Sequence, residues 1–201
     1  MQDRIFNYSS FFSKFPVINL ENFILRDLSL SDNQRYFEVL SDPNVAQFLS
    51  DEDVPESPYK ALEEIKFWGS LFYKKQSIFW AIVEKETNNL IGTVGFNSWN
   101  FSSQRAEISY DLASTHWRRN IMSEVLFHVL TFAFTKMCLN RIEAKTMTHN
   151  VASAALLLKM GFKKEGVLKS YRKVRSKFID VDLYSLLLEE WAAVKNESNE
   201  S

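Results

Sequence analysis

The stretch from His116 to Glu124, HWRRNIMSE, places two arginines directly ahead of a run whose apolar residues recur at helical spacing. Backbone N–H groups in the first turn of a helix lack intrahelical partners, and the helix dipole adds positive potential there. A strand-to-helix loop of this kind can therefore hold a pyrophosphate. The competing reading is an ordinary charged turn. No glycine lies between Gly95 and Gly161, and glycine is the residue that lets a backbone approach phosphate oxygens closely. Asn150, ahead of VASAALLLKMGF, is a second helix-start signal, with Gly161 placed to end that helix.

The motifs of several other chemistries are missing. The chain has no GxxxxGK followed by Ser or Thr, no HExxH, no GxSxG and no GxGxxG after a strand. Nucleotide hydrolysis, zinc proteolysis, ester hydrolysis and dinucleotide binding thus lack support. His116, His128 and His149 are dispersed and read as surface or helix-packing residues. Cys138 is the only cysteine, which removes an internal disulfide framework and a cysteine-based zinc cluster.

Composition narrows the class further. The 201 residues are 46% hydrophobic and 24% charged, ordinary usage for one soluble folded domain. The longest apolar stretch, VLFHVLTFAF (125–134), is too short and too interrupted to span a bilayer, and the N-terminal stretch lacks a signal-peptide core. A cytoplasmic location is the expectation. Net charge is only −1 but unevenly spread: residues 1–64 hold twelve acidic and five basic side chains, and residues 159–177 hold eight basic ones against Glu165 alone. Such polarity can steer a cationic ligand to one end and an anionic one to the other, or it can be two solvated faces far apart.

Positioning these residues takes strands and helices in alternation. FILRDLSL (23–30) reads as a strand, Ser31-Asp32 as the cap of a helix over NQRYFEVLSD, and Asp42-Pro43 as its end. Ser57 and Pro58 open a second helix over 57–75, and residues 77–99 read as an antiparallel hairpin turning at Glu86 to Asn89. In QRAEISYDLAS, Ala106, Ile108, Tyr110 and Leu112 alternate with Arg105, Glu107, Ser109 and Asp111, the period of a strand. Met122, Leu126, Val129, Leu130, Ala133 and Met137 form a helical stripe, and a strand over 141–148 follows. Two closing strands fall in 162–171 and 177–191, and the tail 196–201 is expected to be disordered. The resulting order, β-α-α-β-β-β-α-β-α-β-β, is a mixed α/β (α+β) sheet with helices on its faces, a single domain over 1–195.

Taken in order, LENFILRDLSLSD with SDPNVAQFLS, RAEISYDLASTHWRRNIMSEVL, LNRIEAKTMTHNVASAALLLKMGFKKEGVL and IDVDLYSLLLEEW resemble the GNAT superfamily of acyl-CoA-dependent N-acetyltransferases, and within it the RimJ/RimL type that acetylates ribosomal-protein N-termini. The resemblance covers about 20–191. It implies a GNAT fold, a mostly antiparallel sheet of about seven strands with splayed central strands, flanked by about four helices. It implies acetyl-CoA as cosubstrate, no metal, and direct transfer in a ternary complex to a primary amine, first of all a protein N-terminal α-amine. Two other readings stay open: a small-molecule amine acetyltransferase acting on polyamine- or aminoglycoside-like acceptors, and a non-catalytic binding protein with a degenerate CoA loop. The expected partners are acetyl-CoA and an amine acceptor, a ribosomal-protein N-terminus among the candidates, with no membrane and no direct nucleic-acid contact, in a monomer or homodimer.

The same resemblance assigns the pyrophosphate loop to Trp117, Arg118, Arg119, Asn120, Ile121, Met122 and Ser123. Arg118 and Asn120 stand where the family usually has glycine. Asn is the best non-glycine residue in a left-handed conformation, so Asn120 can preserve the turn; Arg118 is harder to accommodate. Leu112 and Ala113, at the end of a strand expected to splay from its neighbour near Lys145-Thr146, would offer backbone groups to the pantetheine arm. Asn150 would bond the pantetheine region, and Ser153 would lie near the sulfur. Amine transfer needs a neutral nucleophile and a protonated or stabilised leaving thiolate. Glu107 is the candidate base and Ser153 the candidate acid, with Tyr171 as substitute acid. Some RimJ/RimL-type enzymes place an acidic residue where this chain has Arg172, so that base is not carried over. Asp51, Glu52, Asp53 and Glu56 lie where the family frames its acceptor.

Overall fold

The computed structural model describes residues 6–199. The strands are β1 (Ile18–Asn19), β2 (Phe23–Arg26), β3 (Phe79–Glu84), β4 (Leu90–Asn100), β5 (Arg105–Leu112), β6 (Arg141–Met147), β7 (Lys163–Val174) and β8 (Lys177–Leu187). They form one sheet in the order β1-β2-β3-β4-β5-β6-β8-β7. The helices are α1 (Tyr8–Phe11), α2 (Asn33–Ser41), α3 (Pro43–Ala46), α4 (Pro58–Tyr73), α5 (Ile121–Thr135), α6 (Val151–Lys159) and α7 (Leu188–Asn199).

Both faces of the sheet are covered, which is why β3 reads as an unbroken apolar run, FWAIVE. On one face Val125, Leu126, Val129 and Leu130 of α5 lie fully buried against Trp80, Ile82, Val94 and Phe96, with Leu157 of α6 and Trp191 of α7 joining the same core. Each such side chain contributes about 1.5–3 kcal/mol by leaving water. On the other face Tyr36, Val39 and Leu40 of α2 and Ala61 and Ile65 of α4 pack on Ala81, Val83 and Leu90.

Every neighbouring pair is antiparallel except β5 and β6, which run parallel from Arg105–Arg141 to Ile108–Ala144 and then part. From that point β6 continues to pair only with β8, out to Met147–Val181. A parallel pair needs a crossover, here α5, and puts the carboxyl ends of both strands on one side. The loop into α5 and the start of α6 therefore converge at the mouth of the gap.

The four longer helices expected from periodicity form, and Ser57 accepts the Lys60 N–H as the α4 cap. Other features differ from the expectation. The two-residue β1 makes eight strands, and α1, α3 and α7 bring the helices to seven among the described residues; α1 and α3 are single turns too short to show a period. Asp32 stands at the N-cap position of α2 as expected, but its side chain does not cap that helix: the carboxylate takes a two-pronged bond from Arg26 at 2.8 Å on each arm and the Ser29 N–H, while Ser29 caps the turn before α2. The expected strand over 177–191 stops at Leu187, where Glu190 accepts the Leu187 N–H and the chain turns into α7, seated by Trp191 against Phe127. The tail expected to be disordered from Asn196 is helical as far as Asn199; residues 200–201 lie outside the described residues.

Asp111 on β5 is turned under α2, its carboxylate accepting the Thr93 N–H at 3.1 Å and the Thr93 hydroxyl at 2.6 Å. Burial pushes its pKa up to about 6, and the two Thr93 bonds only partly offset that. A carboxyl raised in the folded state contributes stability that is fully present below its unfolded pKa and is lost as pH rises through about 6. The melting temperature of Asp111→Asn minus that of the parent should therefore climb between pH 4 and pH 8, the full effect being about 3 kcal/mol. A difference that stays flat across that range would show that Asp111 is not held in this state.

Candidate active site

The loop entering α5 keeps a glycine-like backbone without glycine. Arg118 has φ 58°, and Asn120 has φ 60° with ψ 5°, so both residues at the family's glycine positions are left-handed. For an L-residue that conformation costs about 1–2 kcal/mol, least for Asn. Asn120 makes no side-chain cap to α5; its Oδ1 instead accepts from Lys159 Nζ at 2.9 Å, across from the end of α6. Lys159 also lies 3.5 Å from the Ser123 hydroxyl. Arg118 and Arg119 are exposed and have no ion-pair partner among the described residues, so three cations surround the first turn of α5. Ile121 and Met122 are buried and anchor that turn. This arrangement fits a pyrophosphate: open N–H groups, a helix dipole and side chains that match phosphate geometry.

Trp117 braces the loop from the other side, its Nε1–H donating to the Leu112 carbonyl at 2.8 Å. The Ala113 N–H donates to the Ile91 carbonyl at 2.8 Å, continuing the β4–β5 ladder. Ala113 is thus committed to the ladder and to the turn that follows, and its expected role as a free backbone partner needs correcting, whereas Leu112 has only its carbonyl taken. Strand alternation turns the peptide groups of Tyr110, and the Leu112 N–H, toward the gap left by β6.

Across the gap, Asn150 caps α6 by accepting the Ser153 N–H at 3.1 Å. The Ser153 hydroxyl lies 2.9 Å from the Tyr110 hydroxyl. Burial pushes the Tyr110 pKa up to about 12, so the phenol keeps its proton. Phe48, following α3, reaches over the mouth of the gap, with ring centroids 5.9 Å from His149 and 6.4 Å from Trp117.

Glu107 faces the opposite side of the sheet from Tyr110 and Ser153. Its carboxylate pairs with Lys145 of β6 at 2.7 Å, and Asn97 approaches at 3.4 Å. Arg105, two residues before Glu107 on the same strand face, pairs with Glu143. Burial lowers the Lys145 pKa, but the Glu107 bond and the Tyr171 hydroxyl more than offset it, and the ammonium stays charged. The Tyr171 ring lies 5.1 Å from Lys145 Nζ. The structure therefore groups Tyr171 with Glu107 and separates it from Ser153.

The acidic loop is divided in its duties. Asp51 accepts the Arg175 N–H with both carboxylate oxygens at 2.8 Å, and Asp53 accepts from Ser50. The charged runs 1–64 and 159–177 meet here, contrary to the reading of two distant faces. Between them is a cavity of about 530 Å³ lined by Asp51, Glu52, Tyr171, Arg172, Lys173 and Ser176. Sequence reasoning missed Lys145, Tyr110, Lys159 and Phe48 as site residues. Lys145 and Tyr110 sit on strand faces whose alternation was visible, but their partners depend on register; Phe48 carries no local signal. Among the described residues no helix is long and apolar enough to cross a membrane, and no group of His, Cys, Asp and Glu could hold a metal ion.

A family model described as an acetyltransferase (GNAT) domain matches residues 22–163. The chain is 36% identical over 173 residues to YoaA of Bacillus subtilis (strain 168), named an uncharacterized N-acetyltransferase, covering 86% of this chain and 97% of that protein. It is 27% identical over 122 residues to the ribosomal protein uS5-alanine N-acetyltransferase of Escherichia coli (strain K12), covering 60% of this chain and 63% of that protein. In fold it resembles RimL, a ribosomal L7/L12 alpha-N-protein acetyltransferase solved with coenzyme A. The TM-score is 0.78 at 21% identity, covering 87% of this chain and 99% of that one.

The loop geometry can be tested by calorimetric titration with coenzyme A. Asn120→Gly should bind within about threefold of the parent, whereas Asn120→Val, strained at positive φ, should lose about tenfold or more. Arg118→Gly should gain about 1 kcal/mol of stability by relieving strain yet bind more weakly through loss of a cation. Equal affinity for the Gly and Val variants would separate the left-handed turn from binding.

Proposed function

We propose that this chain, which belongs to the GNAT acetyltransferase family and is an acetyl-CoA-dependent N-acetyltransferase, transfers its acetyl group directly to the α-amine of a protein N-terminus. The observation that carries the reading is the gap after Ile108 and Ala144, with Glu107 and Lys145 on one side of the sheet and Tyr110 with Ser153 on the other. An amine approaching from the Glu107 side and a thioester lying in the gap would meet there.

The loop residues from Trp117 to Ser123, with Lys159, hold the cosubstrate's phosphates; Asn150 and the gap-side peptide groups of Tyr110 and Leu112 position its arm. An N–H of this kind aimed at the developing oxyanion supplies the main electrostatic assistance. In the transfer the amine nitrogen bonds to the acetyl carbon and the carbon–sulfur bond breaks. Glu107 takes the proton that the nitrogen must lose, directly or through one water, and Ser153 gives a proton to the departing sulfur. Tyr110, protonated and 2.9 Å from Ser153, resupplies that proton. Tyr171 acts on the acceptor side with Lys145 and is a weaker candidate for the acid.

Left-handed backbone at both Arg118 and Asn120 supports a working loop over a blocked one. The likeness to the uS5-alanine acetyltransferase supports a protein N-terminus as acceptor. Glu107→Gln should lower kcat at neutral pH by about 100-fold while leaving coenzyme A affinity within about twofold. Steady-state kinetics from pH 6 to 9 with N-terminal peptides of ribosomal proteins, and with spermidine, check this. Unchanged turnover across that range removes Glu107 from the chemistry, and turnover of spermidine without peptides replaces the protein acceptor by a small amine.

A further inference from the structure

The tip of the β7–β8 hairpin is a two-residue turn, Arg175 and Ser176, with φ of 48° and 63°. Positive φ at both central residues is the geometry that Asn-Gly adopts cheaply and Arg-Ser does not. What fixes it comes from elsewhere in the chain: both oxygens of Asp51 take the Arg175 N–H. A charge-assisted bond of this kind pins the acidic loop to the basic hairpin and keeps the cavity between them open.

At about 530 Å³ the cavity is of the size that takes small ligands or a few residues of peptide. Its charges are not used up internally. Asp51 is committed to the backbone, while Glu52, Arg172 and Lys173 have no ion-pair partner among the described residues. Tyr171 lines the cavity and also meets Lys145, which is bonded to Glu107. Tyr171 thus links the cavity wall, which carries Arg172 and Lys173, to the Lys145–Glu107 pair.

We infer that this cavity is an acceptor pocket for amines that also carry an anionic group, which the cations of its wall, Arg172 and Lys173, attract, with Tyr171 lying along the acceptor. The anion is either an acidic side chain near a peptide N-terminus or the α-carboxylate of a free amino acid. A purely cationic acceptor meets Arg172 and Lys173 with like charge, and Glu52 is left on the same wall to face the acceptor's ammonium. This rests on the transfer reading above for its chemistry, but not for binding.

The test compares Ser-Glu-Ala-Ala-amide with Ser-Lys-Ala-Ala-amide, free serine with serine amide, and spermidine, in the parent and in Arg172→Glu/Lys173→Glu. Acidic acceptors should show kcat/KM at least tenfold above the lysine peptide, mostly through KM. The double variant should invert that preference without changing coenzyme A affinity. Free serine favoured over its amide, with no effect of peptide sequence, identifies the carboxylate source as an amino acid; the converse identifies a peptide. A preference for the lysine peptide or spermidine, or one that charge reversal leaves untouched, overturns the pocket. Direct binding of fluorescent N-acetyl-Ser-Glu-Ala-Ala-amide is measured alongside, with Arg172→Gln as a milder variant. If no acceptor is acetylated, peptide binding that is lost in both variants upholds the pocket and rejects the transfer reading alone. No peptide binding rejects the pocket.

Discussion

Strands β5 and β6 pair in parallel only from Arg105–Arg141 to Ile108–Ala144, and this early parting is the constraint on which the other features depend. A buried peptide group without a partner costs about 1–3 kcal/mol, so a sheet does not open in its middle without compensation. The cost is contained on both sides. Residues Lys145 to Met147 keep their ladder with β8, Ala113 closes onto Ile91, and the Trp117 indole covers the Leu112 carbonyl. What remains on the gap side is a small set of peptide groups, available to a ligand that can supply hydrogen bonds. Because the parallel pair aligns the two carboxyl ends, the capped N-terminus of α6 and the open first-turn N–H groups of α5 arrive at the same place.

The use of glycine follows from the same geometry. The chain has five glycines, and among the described residues only Gly161 has positive φ, while nine other residues adopt it. Gly92 and Gly95 are needed for proximity instead: a Cβ on Gly92 would lie 2.3 Å from the Asp111 carbonyl oxygen, and one on Gly95 2.4 Å from the Phe79 ring. Glycine therefore serves close packing within β4, and polar or charged side chains, with Cys138 the exception, take the left-handed turns. Each such turn in the site is secured from outside its own segment: Asn120 by Lys159 of α6, and Arg175 by Asp51. Strain at these positions is offset by tertiary contacts that also bring charged groups to the ligand sites.

This explains what could be read from the sequence and what could not. Strand–loop–helix order, the Asn150 and Ser57 caps and the Gly161 stop are local, set by residues within a few positions of one another. The splay near Lys145 was legible only through resemblance, since no local residue announces that pairing will stop. Glu107 and Lys145 lie 38 positions apart, and their meeting is fixed by the register of a parallel pair that no turn length dictates. The Asp51–Arg175 bond spans 124 positions. Short elements such as α1 and β1 were invisible for a different reason: fewer than five residues define no period.

The long-range bonds also tie the two halves of the site into one unit. Asp42, at the α2–α3 junction, accepts from the Ser114 hydroxyl beside the loop into α5, and the segment that follows α3 supplies Phe48 over the gap and Asp51 at the hairpin. One short stretch of chain, residues 42–53, thus touches the loop into α5, the mouth of the gap and the β7–β8 hairpin in turn. Uneven charge in the sequence has a structural use in this light. The acidic N-terminal part and the basic hairpin attract each other across the cavity, and because Asp51 satisfies a backbone N–H and not an arginine, that attraction holds the two walls together without neutralising the cations on them.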